Sequence, residues 1–182
     1  MFALNDLVVY PAQGVGIIER IDRQKIDGGT CPFYVVRIRS NNVILMVPVN
    51  NADKVGLRPL VSHTEAERIL QSLRNDTGRT ICTGQNWNRR FREYSERLKS
   101  HSLHVVIEVL RELLLIGKNK ELSFGERRLQ ELSMNLVAGE LAEVLEVSKD
   151  ALREELFDIY TQCCRQKISS LPEQLAPTEA VG

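Results

Sequence analysis

Apolar and polar residues alternate over the first sixty residues of the chain, in short runs separated by turn-forming residues. A period of two is typical of β-strands that bury one face. It predicts strands at residues 7–10, 15–21, 33–39 and 43–49. The sequences Asp27-Gly28-Gly29 and Ser40-Asn41-Asn42 are expected to form hairpin turns, because Gly, Asn and Asp tolerate positive φ angles. Short strands at this spacing indicate a small, β-rich N-terminal part.

From Ser62 onward the apolar positions recur every three to four residues, which indicates amphipathic helices. Capping boxes at Ser62–Glu65 and Ser123–Glu126 mark two helix starts, because the Ser hydroxyl and the Glu carboxylate satisfy free N–H groups of the first turn. Five helices are predicted, at residues 62–74, 86–99, 102–116, from 123 past 144, and 148–162. The third is apolar on nearly all sides, so we expect it in the middle of its domain, followed by a basic loop at residues 117–120.

This change of period divides the chain and sets its fold class. We expect an α+β protein with a small Tudor- or SH3-like β-barrel followed by a compact all-α domain of about five helices. The expected boundaries are residues 1–60 for the barrel, 61–162 for the helical domain and 163–182 for a flexible tail, which contains two prolines.

Charge is segregated along the chain although the total is zero, with 24 basic and 24 acidic residues. Between Arg79 and Arg128 there are eleven basic and six acidic residues, whereas between Leu129 and Tyr160 there are two basic and eight acidic ones. Such a chain can present a positive face to a polyanion despite its neutral total. The alternative is that the two segments simply attract each other within the fold.

The predicted helix that begins at Asn86 carries the only Trp of the chain among arginines. Guanidinium groups suit phosphate because their planar fork gives two charge-assisted hydrogen bonds, and an aromatic ring beside them can stack on a base or wedge between base pairs. The residues of this candidate DNA-contacting edge are Asn86, Trp87, Arg89, Arg90 and Arg92. However, Trp87, Phe91, Tyr94 and Leu98 also form one helical stripe, and such stripes are usually core.

Other classes of function find little support in the sequence. The longest apolar run is too short to span a bilayer and the N-terminus lacks the plan of a signal peptide, so we expect a cytoplasmic protein without a membrane segment. Four cysteines without CxxC spacing favour reduced thiols over a metal site, and His101 and His104 have no further ligand at a suitable spacing. Neither a metal, nor a cofactor, nor catalysis is expected.

Three motifs resemble those of the bacterial CarD/CdnL transcription regulators, in the same order and spacing. They are Val8-Val9-Tyr10-Pro11-Ala12-Gln13-Gly14-Val15-Gly16, Asn86-Trp87-Asn88-Arg89-Arg90 and Leu122-Ser123-Phe124-Gly125-Glu126-Arg127. The N-terminal part also resembles the RNA polymerase-interacting module of transcription-repair coupling factor. The resemblance implies a Tudor-like domain that binds the RNA polymerase β subunit and a helical domain that binds promoter DNA.

In this family a Trp matched by Trp87 wedges into the minor groove at the upstream edge of the transcription bubble and stabilises the open complex. The resemblance further implies that basic residues meet phosphates, here Arg89, Arg90, Arg92 and Arg127. Lys118 and Lys120 are expected to replace a basic pair found in some members. DNA binding is expected to be largely independent of sequence.

The same resemblance implies a polymerase-binding surface on the barrel, with the candidate residues Arg23, Gln24, Lys25, Arg39, Met46 and Pro48. Some members carry Arg at the positions of Gln24 and Met46, so the contact here is expected to be less charged or shifted toward Arg23, Lys25 and Arg39. We expect a monomer. The alternative is a protein-interaction adaptor on polymerase, whose helical half binds a protein rather than DNA.

Overall fold

The N-terminal strands form one antiparallel sheet in the computed structural model, which describes residues 1–26, 29–74 and 87–162. The strand order is β4-β3-β2-β1-β5. The strands are β1 (Leu7–Tyr10), β2 (Gly14–Ile26), β3 (Gly29–Ile38), β4 (Ile44–Pro48) and β5 (Arg58–Pro59). We call these strands and their turns the β module. Its core is built from alternating side chains such as Ile18, Tyr34 and Val36.

Three of the strands differ from the prediction, since β2 and β3 are longer than expected and β5 was not predicted. The prediction ended β2 at Ile21 because polar residues follow, but β2 stays paired with β3 as far as Ile26 opposite Gly29. Backbone pairing continues where the side chains no longer alternate, so the two strands extend beyond the end of β4, which stops opposite Phe33. The predicted turn between them includes Asp27 and Gly28, which lie outside the described residues. β5 has only two residues, too few to show a pattern.

The helices of the described residues agree with the expected fold class. They are α1 (His63–Arg74), α2 (Trp87–Arg97), α3 (Leu103–Asn119), α4 (Phe124–Leu145) and α5 (Lys149–Gln162), and we call them the helical bundle. A five-stranded antiparallel sheet followed by five helices confirms the α+β prediction. Among the described residues, none of the helices has both the length and the apolar composition to cross a lipid bilayer.

Both predicted capping boxes sit at helix starts. Ser62 Oγ accepts a hydrogen bond from Glu65 N at 3.2 Å. At the start of α4, Ser123 Oγ accepts from Glu126 N at 3.3 Å, and Ser123 N donates to Glu126 Oε2 at 2.8 Å. The prediction of a basic loop at residues 117–120 was wrong, because α3 continues to Asn119. Gly117 lies within this last turn, where a β-carbon would stand 3.2 Å from the Leu122 side chain.

The central helix of the bundle is α4, and not α3 as predicted. It contacts each of the other four helices and also β2. Because it is covered on several sides, it buries polar residues (Glu126, Ser133 and Glu140) together with apolar ones such as Val137 and Leu141. These polar residues interrupt its apolar pattern and conceal its central position in the sequence.

Candidate nucleic-acid and polymerase interfaces

Helix α2 begins at Trp87, at the motif that the sequence singled out. Asn86 and the side chain of Trp87 lie outside what the structure describes. Farther along the stripe, Tyr94 and Leu98 are buried in the bundle core, whereas Phe91 is exposed. The core interpretation is therefore confirmed for the C-terminal half of the stripe. In the N-terminal half of α2, Phe91 is exposed whereas Arg90 beside it is buried against α4.

The three arginines of α2 that the sequence proposed for DNA contact have different environments. Arg89 and Arg92 are exposed. Arg90 is only 8% exposed, and its Nη2 lies 3.3 Å from Oε1 of the buried Glu126 on α4. The sequence predicted a phosphate contact for Arg90, but its guanidinium instead joins α2 to α4. We therefore remove Arg90 from the set of residues that we propose to meet DNA.

Glu126 is the centre of a polar cluster at the start of α4. Besides Arg90, its Oε1 lies 3.2 Å from Lys120 Nζ, and its Oε2 accepts from Ser123 N. Burial raises the pKa of Glu126, but the hydrogen bonds with Ser123 and the positive charge of Lys120 outweigh burial, so its pKa lies below the ordinary value. The carboxylate is therefore charged at neutral pH and holds the ends of α2, α3 and α4 together.

Exposed basic side chains surround this cluster. Lys120 keeps about half of its side chain exposed while contacting Glu126. Arg127 is more exposed, with Nε donating to Leu122 O at 3.0 Å and Nη2 lying 2.5 Å from Glu121 Oε1. The side chain of Lys118, in the last turn of α3, is not described. Of the predicted DNA-binding side chains, Lys120 and Arg127 thus lie at the start of α4, and Arg89 and Arg92 are exposed in the first two turns of α2. The contact of Arg90 with Glu126 joins these two helix starts.

Sequence reasoning missed one aromatic side chain at this place. Phe124, the first residue of α4, is 84% exposed. Its neighbours one turn later, Arg127 and Arg128, are basic rather than apolar, which was a signal that this ring does not face a core. We call Arg89, Arg92, Lys120, Phe124 and Arg127 the basic tip.

Three of the six predicted polymerase-binding residues share one face of the β module. Met46 pairs with Val35 and Pro48 with Phe33, and Gln24 pairs with Cys31 two residues away, so all three point to the same side of the sheet. Gln24 Nε2 lies 3.9 Å from Met46 Sδ. Ile44, two residues before Met46, adds an exposed apolar side chain to this face. We call Gln24, Ile44, Met46 and Pro48 the β4 face.

The other three predicted residues lie elsewhere. Arg23 and Lys25 alternate with Gln24 along β2 and therefore point to the opposite side of the sheet. Arg39, after β3, reaches the helical bundle, where its Nη1 lies 3.1 Å from Glu143 Oε2 on α4. The structure thus offers a largely apolar surface at β4, with Arg37 at its border opposite Ile44. Arg23, Lys25 and Arg39, toward which a shift of the contact was one of the two expectations, are not part of it.

Two of the histidines have other contacts among the residues that the structure describes. His101 lies against Gly56 of the β module, and His104 Nε2 lies 2.9 Å from Glu65 Oε1. Within the residues that the structure describes, His, Cys, Asp and Glu side chains nowhere form a group of three placed to hold a metal ion.

Known protein families match both halves of the chain. A family model described as "CarD-like/TRCF RID domain" matches residues 2–61, and one described as "CarD, C-terminal domain" matches residues 68–157. The chain is also 22% identical, over 153 residues, to the Bacillus subtilis (strain 168) protein named "Putative transcription factor YdeB". That alignment covers 84% of this chain and 98% of the relative. The first family model confirms the Tudor-like fold of the β module. From the two domain matches in sequence order, the chain belongs to the CarD/CdnL family of transcription regulators that act on RNA polymerase.

Proposed function

We propose that this protein joins RNA polymerase to promoter DNA and keeps the open complex from closing. The β4 face binds the polymerase β subunit, and the basic tip holds DNA at the upstream edge of the melted region. Family membership supports the polymerase half of this proposal. The protein acts as a monomer in the cytoplasm, where it meets polymerase and promoter DNA.

The exposed cations of the basic tip are the observation that carries the DNA half. Arg89 and Arg92 are exposed in the first two turns of α2. Lys120, Arg127 and the exposed ring of Phe124 lie at the start of α4, which Arg90 joins to α2. Helix starts carry partial positive charge, which adds to the attraction for phosphate. Phosphate contacts fix position without reading sequence, so polymerase and its σ factor choose the promoter.

Trp87 is the residue that we propose to act on the melted step. It is the first residue of α2, and the stripe that is buried at Tyr94 and Leu98 has emerged from the core by Phe91. A ring that projects from this end can fill an unstacked base step, which stabilises the opened DNA by roughly 1–3 kcal/mol. Reclosure of the bubble then requires the ring to leave first.

The position of β4 in the sheet supports polymerase binding there. β4 is an edge strand, and none of the described strands pairs with its outer side. Its free backbone groups can pair with a strand of the β subunit, while Ile44 and Met46 supply apolar contact area. Such a contact needs few charges, in keeping with Gln24 and Met46 at positions where some family members carry Arg.

The proposal is tested by the lifetime of the open complex in the presence of Trp87→Ala. We expect the variant to fold and to bind polymerase as the wild type does, but to shorten the lifetime about tenfold, since about 1.4 kcal/mol corresponds to a factor of ten. The lifetime is measured as the decay of open complexes after addition of a heparin competitor. Phe157→Ala, at an exposed ring on α5 outside the basic tip, is the matched control and should leave the lifetime unchanged.

Three other results would contradict the proposal or part of it. If Trp87→Ala unfolds the bundle, the ring belongs to the core. If both variants preserve the lifetime, Trp87 does not contact the bubble. If the wild type binds a forked duplex no better than a matched acidic polypeptide, and the binding to both falls equally with salt, the helical bundle is a protein-binding adaptor instead.

A further inference from the structure

A buried carboxylate on α4 joins the β module to the helical bundle. Glu140 is 2% exposed, and its two oxygens accept hydrogen bonds from the two terminal nitrogens of Arg58, at 2.6 and 2.7 Å. Its Oε1 also accepts from Val61 N at 3.1 Å. Arg58 belongs to β5, and Val61 lies in the segment that leads to α1. One side chain of α4 therefore holds both the last strand and the connection to the bundle.

The face of α4 that carries Glu140 is turned toward the β module. Leu136, Glu140 and Glu143 are four and three residues apart, so they lie on one side of the helix. A β-carbon on Gly14 would lie 3.5 Å from Leu136 Cδ2, which places the start of β2 against this face. Arg39 reaches Glu143 from the end of β3. Of the two ion pairs, that of Arg58 and Glu140 is largely shielded from water, whereas that of Arg39 and Glu143 is partly exposed.

Beside this pair, apolar packing between the two halves is incomplete. A cleft of about 690 Å³ separates the β1–β2 turn and the Arg39–Asn41 turn from α4. Gly139 lines the cleft, and a β-carbon added there would meet no atom within 4 Å. Apolar contact is non-directional, and here it leaves space for the two halves to rock against each other. A two-pronged guanidinium–carboxylate contact, in contrast, has a fixed geometry.

We propose that the pair of Arg58 and Glu140 fixes the angle between the β module and the helical bundle. This angle lets the basic tip reach DNA while the β4 face is held by polymerase. The inference rests on the proposed function for its second half, whereas its first half concerns the free protein alone. Arg58 and Glu140 are thus positioning residues, which touch neither partner themselves.

The test measures the angle directly, through the distance between spin labels on the two halves. Labels are attached to cysteines that replace the exposed residues Asn50 and Glu93, after the four native cysteines have been changed to Ser. We expect one narrow distance distribution for the parent chain and a clearly broader one for Glu140→Gln and for Arg58→Lys. Glu131→Gln is the matched control, because Glu131 lies on the same helix but pairs with Arg153 of α5. It should leave the distribution narrow.

A double variant separates orientation from folding stability. Replacing a buried ion pair by apolar residues of similar volume often preserves or raises stability, whereas removing one partner strongly destabilises. Arg58→Met with Glu140→Leu is therefore expected to stay folded by circular dichroism and still to show a broadened distribution. If the double variant keeps a narrow distribution with the same mean distance, the ion pair does not set the angle and the inference is overturned.

The functional half is tested with the same unlabelled variants in the open-complex assay. We expect Glu140→Gln and the double variant to bind polymerase and forked DNA separately as the wild type does, yet to lose most of the increase in open-complex lifetime. A full increase in a variant with a broadened distribution would overturn the functional half. If the wild type itself gives no increase, the proposed function fails. Whether the pair of Arg58 and Glu140 sets the angle is then decided by the distance distributions alone.

Discussion

At the scale of single residues, Glu126 shows how one buried charge can position the exposed residues of a proposed binding surface. It accepts hydrogen bonds from the start of its own helix and contacts Arg90 of α2 and Lys120 after α3. Arg90 is thereby withdrawn from the surface, while its neighbours on α2 stay exposed. The buried pair of Arg90 and Glu126 is expected to hold the exposed arginines in place rather than to bind DNA.

Glu126→Gln should therefore destabilise the protein much more than a surface substitution. Gln can still accept the hydrogen bond from Ser123 N, but the buried ion pair of Arg90 and Glu126 is lost, at a cost of about 3 kcal/mol. The measurement is the free energy of unfolding in urea at neutral pH. Glu121→Gln, at an exposed partner of Arg127, is the control and should change stability by less than about 0.5 kcal/mol.

The loss of stability caused by Glu126→Gln should depend on pH. Because the folded-state pKa of Glu126 lies below its ordinary value of 4.5, the charged form stabilises the fold above that value, and this stabilisation is lost as the pH falls through the folded pKa. The difference in unfolding free energy between the wild type and Glu126→Gln should thus be largest at neutral pH and shrink below about pH 4.5. A constant difference down to acid pH would show that the charge of Glu126 is not what stabilises the tip.

Sequence reasoning found the arginines of α2 but did not sort them. Arg90 stands four residues before Tyr94 and eight before Leu98, on the helix face that is buried, and this spacing was a signal that it turns inward. Its partner Glu126, on α4, could not be read from the same pattern. The exposure of Phe124 could have been predicted from the sequence, since its neighbours one helical turn later are basic. A tertiary contact between two helices has no comparable local signal.

At the scale of elements, helix starts were predicted well because capping is a local interaction. The start of α4 shows it, since Ser123 and Glu126 are three residues apart and satisfy each other's backbone groups. Element ends were predicted less well where partners distant in sequence decide them. β2 shows this, because it continues through polar residues as long as β3 remains opposite.

The edge position of β4 leads to a prediction at this scale. Met46→Glu should weaken binding to the polymerase β subunit about tenfold or more, because a carboxylate buried without a partner costs at least roughly 1–3 kcal/mol. Ile21→Glu is the matched control, since Ile21 and Met46 are 46% and 45% exposed on opposite sides of the sheet. Binding is measured by titration with the purified β subunit. Equal weakening by both variants, or by neither, would place the polymerase contact outside the β4 face.

At the scale of the whole molecule, the segregation of charge in the sequence persists in the fold. The basic tip lies at the starts of α2 and α4, whereas acidic side chains such as Glu154 and Asp158 are exposed on α5. A net charge of zero then coexists with a positive end. The sequence predicted this polarity because it follows from the composition of long segments. The pairing of Arg58 with Glu140 joins residues that are 82 positions apart and could not be foreseen.

This polarity predicts a salt dependence that composition alone would not suggest. Four exposed cations that meet phosphates should give a slope of about −3 to −4 for the logarithm of forked-duplex affinity against the logarithm of salt concentration. Arg92→Ala should make the slope less steep by about one, while Arg68→Ala, at an exposed arginine on α1, should not change it. Fluorescence anisotropy across a salt series gives both slopes. A slope near zero would mean that the tip does not neutralise phosphates.

The contact between Arg58 and Glu140 also constrains how this chain can evolve. The two positions are 82 residues apart, and a change at either one alone strands a charge in the interior. Viable lineages must therefore exchange both residues together or neither. In related chains the residues at these two positions are accordingly expected to covary, because together they join the two halves of the molecule.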